Sequence, residues 1–194
     1  MSTKRKLREI KKIDFEKALD AFFDWKKLDE EIRELSGTRG INLPSEITEV
    51  MVTYPLGLKI CTCGAGDAFD DKNNKVYEIK GSSSKGPNSF SPSEEYDEML
   101  YVKLSDDRSE FRIYKTGFSS EDIKKIKVNE TETVEDQQKQ GRRPRFSIQK
   151  EIIEKNNIKP VFIIDINNRS VKKYVDLNFQ NFFHSNVKIG AYLL

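Results

Sequence analysis

Residues 64–87 read GAGDAFDDKNNKVYEIKGSSSKGP, and the fold turns on how this stretch is paired. Its centre, DDKNN at 70–74, is an Asp/Asn cluster with the chemistry of a tight turn. The flanks, LKICTCGAGDAF (58–69) and NKVYEIKG (74–81), have the composition of strands. Centring the turn between Lys72 and Asn73 sets Asp67 opposite Glu78 and Asp70 opposite Lys75. Directly opposed side chains on one face lie about 5 Å apart at Cβ. Lys80 shares a face with Glu78 because strands alternate with period two, and Tyr77 and Ile79 turn the other way, toward a core. Asp67, Glu78 and Lys80 are therefore expected on one side of the ribbon. A slip of one residue would scatter them.

Working outward, DFEKALDAFFDWKKLDEEIRELS (14–36) carries Phe15, Leu19, Phe22, Trp25, Leu28, Ile32 and Leu35 at helical spacing, with Gly37 as its stop. NLPSEITEVMVTY (42–54) predicts a second helix, opened by Pro44 and closed by Pro55 and Gly57. YDEMLYVKLS (96–105) and SEFRIYKTG (109–117) read as strands around a DDR turn, and SSEDIKKI (119–126) as a short helix capped by Ser119 or Ser120. VNETETVEDQQKQGRRPR (128–145) is polar and without periodicity, FSIQKEIIEKNN (146–157) is helical, and KPVFIIDIN (159–167) is an apolar strand. This order predicts an α/β (α+β) fold: a mixed central β-sheet flanked by helices, formed as a single domain over 1–194.

Charged residues (34%) nearly match apolar ones (36%), so the core is modest and the surface highly charged. The net charge is only +2, yet MSTKRKLREIKK (1–12) holds six Lys/Arg and QKQGRRPR (138–145) is purely basic. Basic patches in a balanced chain suit a protein that meets phosphate on one face. The N-terminal run, Lys4 to Lys12, reads as a solvated helix start, with a non-specific DNA arm as the alternative. No stretch approaches the roughly 18 apolar residues of a membrane span, and no apolar core follows the basic N-terminus as in a secretory signal. A cytoplasmic location with no membrane association is the expectation. Cys61 and Cys63 alone are poor zinc evidence, and a disulfide between them would be strained. His184 has no nucleophile or acid patterned around it.

Two carboxylates at hairpin distance repel unless a cation lies between them. Mg²⁺ is the natural occupant, since it takes one or two carboxylates plus waters and phosphate oxygens. Lys80 could then orient a water and stabilise charge on a phosphoryl group. The competing reading is a solvated hairpin with cross-strand ion pairs. Apolar neighbours around Glu78 and Lys80, the donor-rich GSSSKGP that follows, and Glu49 on the preceding helix favour the site. In GSSSKGP, Lys85 is a candidate phosphate ligand and Ser83 a further donor. Asp70, nearer the turn, is a rival for the first carboxylate.

Four segments in order, GINLPSEITEV (40–50), the Asp and E-x-K hairpin, SFSPSEEYDEMLYVKL (89–104) and QQKQGRRPRFSI (137–148), resemble nucleases of the PD-(D/E)XK class. In particular they resemble small Type II restriction endonucleases that cut GC-N-GC. The resemblance spans about 40–148, which would hold the catalytic core and the DNA-reading loop. It implies Asp67, Glu78 and Lys80 as the catalytic triplet, Glu49 as support for the metal or its waters, and Mg²⁺ as cofactor, with Mn²⁺ as a substitute. Gly66 stands where the class name has proline.

Arg142, Arg143 and Arg145 around Pro144, with Gln138, are the candidate DNA readers. Arginine can bind a guanine edge bidentately, or it can hold phosphate, and the residues alone leave both open. Gln137 and Gln140 are weaker candidates. A palindromic site implies a homodimer on double-stranded DNA, with a heterodimer of related subunits as the alternative. The helix at 14–36 or the aromatic segment 170–194 is a candidate interface, and a DNA methyltransferase is the expected functional companion. Two other functions compete: a repair or junction nuclease of the same fold, and a DNA-binding module whose acids only form ion pairs.

Overall fold

The computed structural model describes residues 6–64, 66–84, 86–92 and 95–174. In chain order the elements are β1 (Lys6–Glu9), α1 (Lys12–Ser36), α2 (Ser45–Leu56), β2 (Lys59–Cys63), β3 (Ala68–Asp70), β4 (Lys75–Ser82), β5 (Asn88–Ser89) and β6 (Glu98–Leu104). There follow β7 (Glu110–Lys115), α3 (Ser120–Lys124), α4 (Val134–Lys139), β8 (Arg145–Phe146), a π-helical turn (Gln149–Glu154), β9 (Phe162–Asp165) and β10 (Ser170–Lys173). Eight strands form one mixed sheet in the order β1-β2-β3-β4-β6-β7-β9-β10. All neighbours are antiparallel except β4 and β6, which run parallel from Tyr77 opposite Glu98 to Ser82 opposite Lys103. β5 and β8 form a separate two-stranded ribbon.

Alternation along the strands divides the core in two. Tyr77, Ile79, Leu100 and Val102 pack with Phe15, Leu19 and Phe22 of α1 and Met51 of α2. Val76, Met99, Tyr101 and Tyr114 pack on the other side with Phe90, Phe146, Ile148 and Ile152. α2 comes very close to β4, since a Cβ on Gly81 would lie 2.8 Å from Thr48 Cγ2. Only a residue without a side chain fits there.

The expected α+β class and the hairpin register hold: Ala68 pairs with Tyr77, Phe69 with Val76 and Asp70 with Lys75. Several local expectations need correction. Lys6–Glu9 is a strand paired with β2, not a helix start. β2 has β3 on one side only, and its open edge recruits the chain that precedes α1. The stretch 58–69 holds two antiparallel strands, β2 to Cys63 and β3 from Ala68. Within 128–145, α4 forms behind a Thr133/Asp136 capping box, a local signal that lacks the length for periodicity. Residues 170–173 fold back on β9 through a turn in which Asp165 Oδ1 accepts the Asn168 N–H at 3.0 Å. His184 and the remainder of the proposed interface, 175–194, lie outside the described residues. Among the described residues no helix is long and apolar enough to cross a membrane.

A buried ionic cluster ties α1 to the β6–β7 turn. The Asp29 side chain is fully buried and accepts from Ile41 N–H (2.7 Å), Arg33 Nε (2.8 Å) and Arg108 Nη2 (2.5 Å). Arg108 also stacks over Trp25, 5.2 Å from the ring centroid. Burial works to raise the Asp29 pKa, but the hydrogen bonds from Arg33, Arg108 and Ile41 outweigh it and hold the carboxyl below its usual range. With a depressed folded value, the stabilisation is complete above the unfolded pKa near ~4 and is lost as pH falls through the folded one. Asp29→Asn is expected to cost roughly 3 kcal/mol at pH 7 and to flatten the acid limb of the stability curve. Urea denaturation between pH 7 and 3 measures both.

Candidate active site

Gly66 initiates the site. Its φ is +74°, and a Cβ there would lie 2.3 Å from Val76 Cγ1. Proline, locked near −65°, cannot take that conformation, which explains its absence before Asp67. Asp67 donates its N–H to Tyr77 O (2.8 Å) and accepts the Cys61 N–H at its own carbonyl (2.8 Å), bridging β2 and β4 just ahead of β3. Continuing the β3–β4 register by one residue sets Asp67 across from Glu78, as expected. Asp67 Oδ2 accepts the Ile79 N–H at 2.7 Å, filling the gap where the ladder has ended. A backbone N–H of a strand points along the sheet, so Asp67 reaches in from the strand edge, between residues 78 and 80.

Glu78 and Lys80 project from β4 onto the side that carries the β5–β8 ribbon. Glu78 is 6% exposed, and its Oε1 accepts from Lys80 Nζ at 2.5 Å. The Lys80 ammonium also lies 5.6 Å from the Phe90 ring centroid. Glu49, on α2, is coupled to Asp67 through charge. Burial, then the Asp67 charge, then Glu46 push its pKa up to about 7. The four residues singled out by sequence thus gather at one place: Asp67 on the β4 backbone, Glu78 with Lys80, and Glu49 within the field of Asp67. Asp70 does not join them. Its Oδ1 accepts the Lys72 N–H at 2.9 Å and its Oδ2 accepts from Asn73 Nδ2 at 2.7 Å, so it shapes the turn.

Among the described residues no group of three or more His, Cys, Asp or Glu side chains is arranged as a metal cage. The donor chemistry fits Mg²⁺ all the same, because that ion takes one or two carboxylates and keeps its waters. Asp67 and Glu78 are the pair that would hold it.

The basic loop is more tied down than its composition suggests. Arg142 forms an ion pair with Glu132, while Arg143 and Arg145 are exposed. Glu132 also accepts from Asn129 Nδ2 (2.9 Å) and Gln137 Nε2 (3.0 Å), and with Arg142 these hold its carboxyl down to about 2. Gln137 is buried, and Gln138 Nε2 donates to Ser91 O at 2.8 Å, so both glutamines have structural partners. Arg145 pairs with Ser89 across the β5–β8 ribbon. Ser83 is half-buried in the bend after β4, and Lys85 lies outside the described residues. Sequence reasoning missed the ribbon itself and the stack of Phe90 on Phe146, with centroids 4.5 Å apart and planes at 3°. The available signal was one aromatic residue in each of two otherwise polar loops, SFSPS and RRPRFS.

A mixed sheet with helices on its flanks, a buried acid–lysine pair on a central strand and an arginine loop above it has the architecture of a restriction endonuclease. Comparison of sequences is more specific. The model of the Bsp6I restriction endonuclease family matches residues 10–155, and the chain belongs to that family. It is 41% identical over 172 residues to the Type II restriction enzyme Bsp6I of Bacillus sp. (strain RFL6), an alignment covering 86% of this chain and 98% of that one. No solved structure matches. The chain is thus a restriction enzyme, a sequence-specific DNA endonuclease, and DNA is its substrate.

The coupling of Glu49 to Asp67 is directly measurable. In Asp67→Asn, removing the second-largest cause should lower the Glu49 pKa from about 7 toward the ordinary carboxyl range, though burial keeps part of the shift. Carboxyl chemical shifts followed by NMR over pH 4–9 would show this. An unmoved Glu49 titration would separate the two residues.

Proposed function

We propose that Asp67, Glu78 and Lys80 catalyse Mg²⁺-assisted hydrolysis of phosphodiester bonds in double-stranded DNA. Mn²⁺ would substitute, and Glu49 would support the cation or its waters. The observation that carries this reading is the fixing of the Asp67 carboxylate on the Ile79 N–H, between the buried Glu78 and the Lys80 that pairs with it. Bound there, the cation would polarise the phosphoryl group and lower the pKa of a water. The Lys80 ammonium, held by Glu78 and the Phe90 face, orients the attacking water and offsets charge on the phosphoryl oxygens. The water oxygen bonds to phosphorus, the P–O3′ bond breaks, and the products are a 5′-phosphate and a 3′-hydroxyl.

Arg142, Arg143 and Arg145 are proposed to read the duplex. The ion pair of Arg142 with Glu132 supports a preorganised guanidinium, which loses less side-chain freedom on binding. The resemblance of four sequence segments supports a short interrupted palindrome of the GC-N-GC kind, or a variant of it. It also supports a homodimer, or a heterodimer with a related subunit, acting alongside a protective DNA methyltransferase in the cytoplasm.

Digestion of a plasmid library by the purified protein with Mg²⁺, followed by sequencing of the ends, tests activity, site and overhang together. Asp67→Ala and Glu78→Ala are expected to abolish cleavage while thermal unfolding remains cooperative. Full activity in either would remove the assignment. Cleavage without sequence preference would favour a repair or junction nuclease, and binding without cleavage a non-catalytic module.

Arg145→Ala is expected to cost about 1–3 kcal/mol of binding to the preferred site and to relax discrimination at one guanine. Binding isotherms on single-base variants of that site provide the measurement. A uniform loss on every sequence would make Arg145 a phosphate ligand.

A further inference from the structure

We infer that Phe90 is a positioning residue for Lys80, and that the β5–β8 ribbon couples DNA reading to the chemical step. The inference rests on the assignment of Lys80 proposed above. Segment 88–91 is attached at both ends of this path. On the catalytic side, Asn88 Nδ2 donates to Gly81 O at 2.9 Å, one residue beyond Lys80. On the same side, the Phe90 ring lies beneath the Lys80 ammonium at 5.6 Å. On the reading side, Phe90 N–H donates to Pro144 O at 3.0 Å, Ser89 pairs with Arg145, and Gln138 Nε2 reaches Ser91 O at 2.8 Å. The parallel stack of Phe90 on Phe146 joins the two strands through their side chains.

These contacts leave little slack. Phe90 and Phe146 are 2% and 5% exposed, so neither ring can shift without displacing its neighbours. A duplex seated on Arg143 and Arg145 bears on residues that flank Pro144, and Pro144 is bonded to the backbone of Phe90. A ring face attracts an ammonium through its quadrupole, and the attraction depends on where the ring lies. Displacement of residues 142–146 therefore changes the support of Lys80. Correct seating presents the ammonium for catalysis, and a mismatched duplex that strains the loop withdraws it. Discrimination then appears in the cleavage rate as well as in affinity.

A purely structural role for the two rings predicts something different, namely loss of stability with rate and binding falling together. The test uses the full chain and the preferred site found by library digestion. Single-turnover cleavage in Mg²⁺ is compared with duplex binding in Ca²⁺, used as a non-cleaving substitute, and with Tm. Phe90→Leu is expected to slow cleavage of that site ~3- to 30-fold while binding changes less than about threefold. Phe90→Tyr, which keeps the ring face, should recover most of the rate. Asn88→Ala leaves the aromatic core intact and should slow cleavage with binding and Tm unchanged. In both slowed variants the ratio of rates on the preferred site and on a one-base variant should narrow. Wild-type rates in Phe90→Leu and Asn88→Ala, or parallel loss of rate and binding in Phe90→Leu without rescue by Phe90→Tyr, would overturn the coupling. Lys80→Ala in the same assay separates the two ideas. An active Lys80→Ala removes the site assignment, whereas an inactive one beside a fully active Phe90→Leu removes only the coupling.

Discussion

The parallel pairing of β4 with β6 is the constraint on which the rest of the molecule depends. Parallel neighbours cannot be joined by a tight turn, so the chain leaving Ser82 must travel back across a face of the sheet before entering β6. Among its described residues the crossover forms no helix. It carries β5 and Phe90 and lies on the face toward which Glu78 and Lys80 project. The opposite face is closed by α1 and α2. One strand pairing thus decides that the acid–lysine pair lies under a loop and not under a helix, and that this loop can bond to the arginine-bearing segment.

The charges at the site are balanced by contacts of different kinds. Glu78 is buried beside a lysine, Asp67 is satisfied by a backbone N–H, and Glu49 is left to share the field of Asp67. Burial first, and then the Asp67 charge, raise the Glu49 pKa to about 7, so its ionised form is disfavoured in the absence of a cation. An added divalent cation would lower that pKa, because it favours the ionised carboxyl.

Much of this was legible in the sequence, for identifiable reasons. The register of Asp67, Asp70, Lys75 and Glu78 followed from turn chemistry at DDKNN and from strand alternation, both local properties. The helix of 14–36 followed from spacing alone. What escaped was set by tertiary context. β1 forms because β2 offers an edge, which no property of LREI announces. β5 and β8 are two residues each, too short for any period to show. The bond from the Ile79 N–H to Asp67 Oδ2 depends on β3 reaching only to Ala68, a boundary that alternation alone does not mark. Most of these features involve a partner distant in sequence, whereas α4 was hidden by its shortness.

The margins of the eight-stranded sheet have a consequence for assembly. Among the described residues its outermost strands are β1, with Lys6 and Arg8, and β10, with Lys172 and Lys173. Cationic side chains along a margin penalise the lateral approach of another such margin, since like charges would meet strand against strand. Lys6 and Lys173 thus weigh against edge-to-edge pairing of the described strands, while Arg8 and Lys172 are partly offset by Asp14 and Asp165.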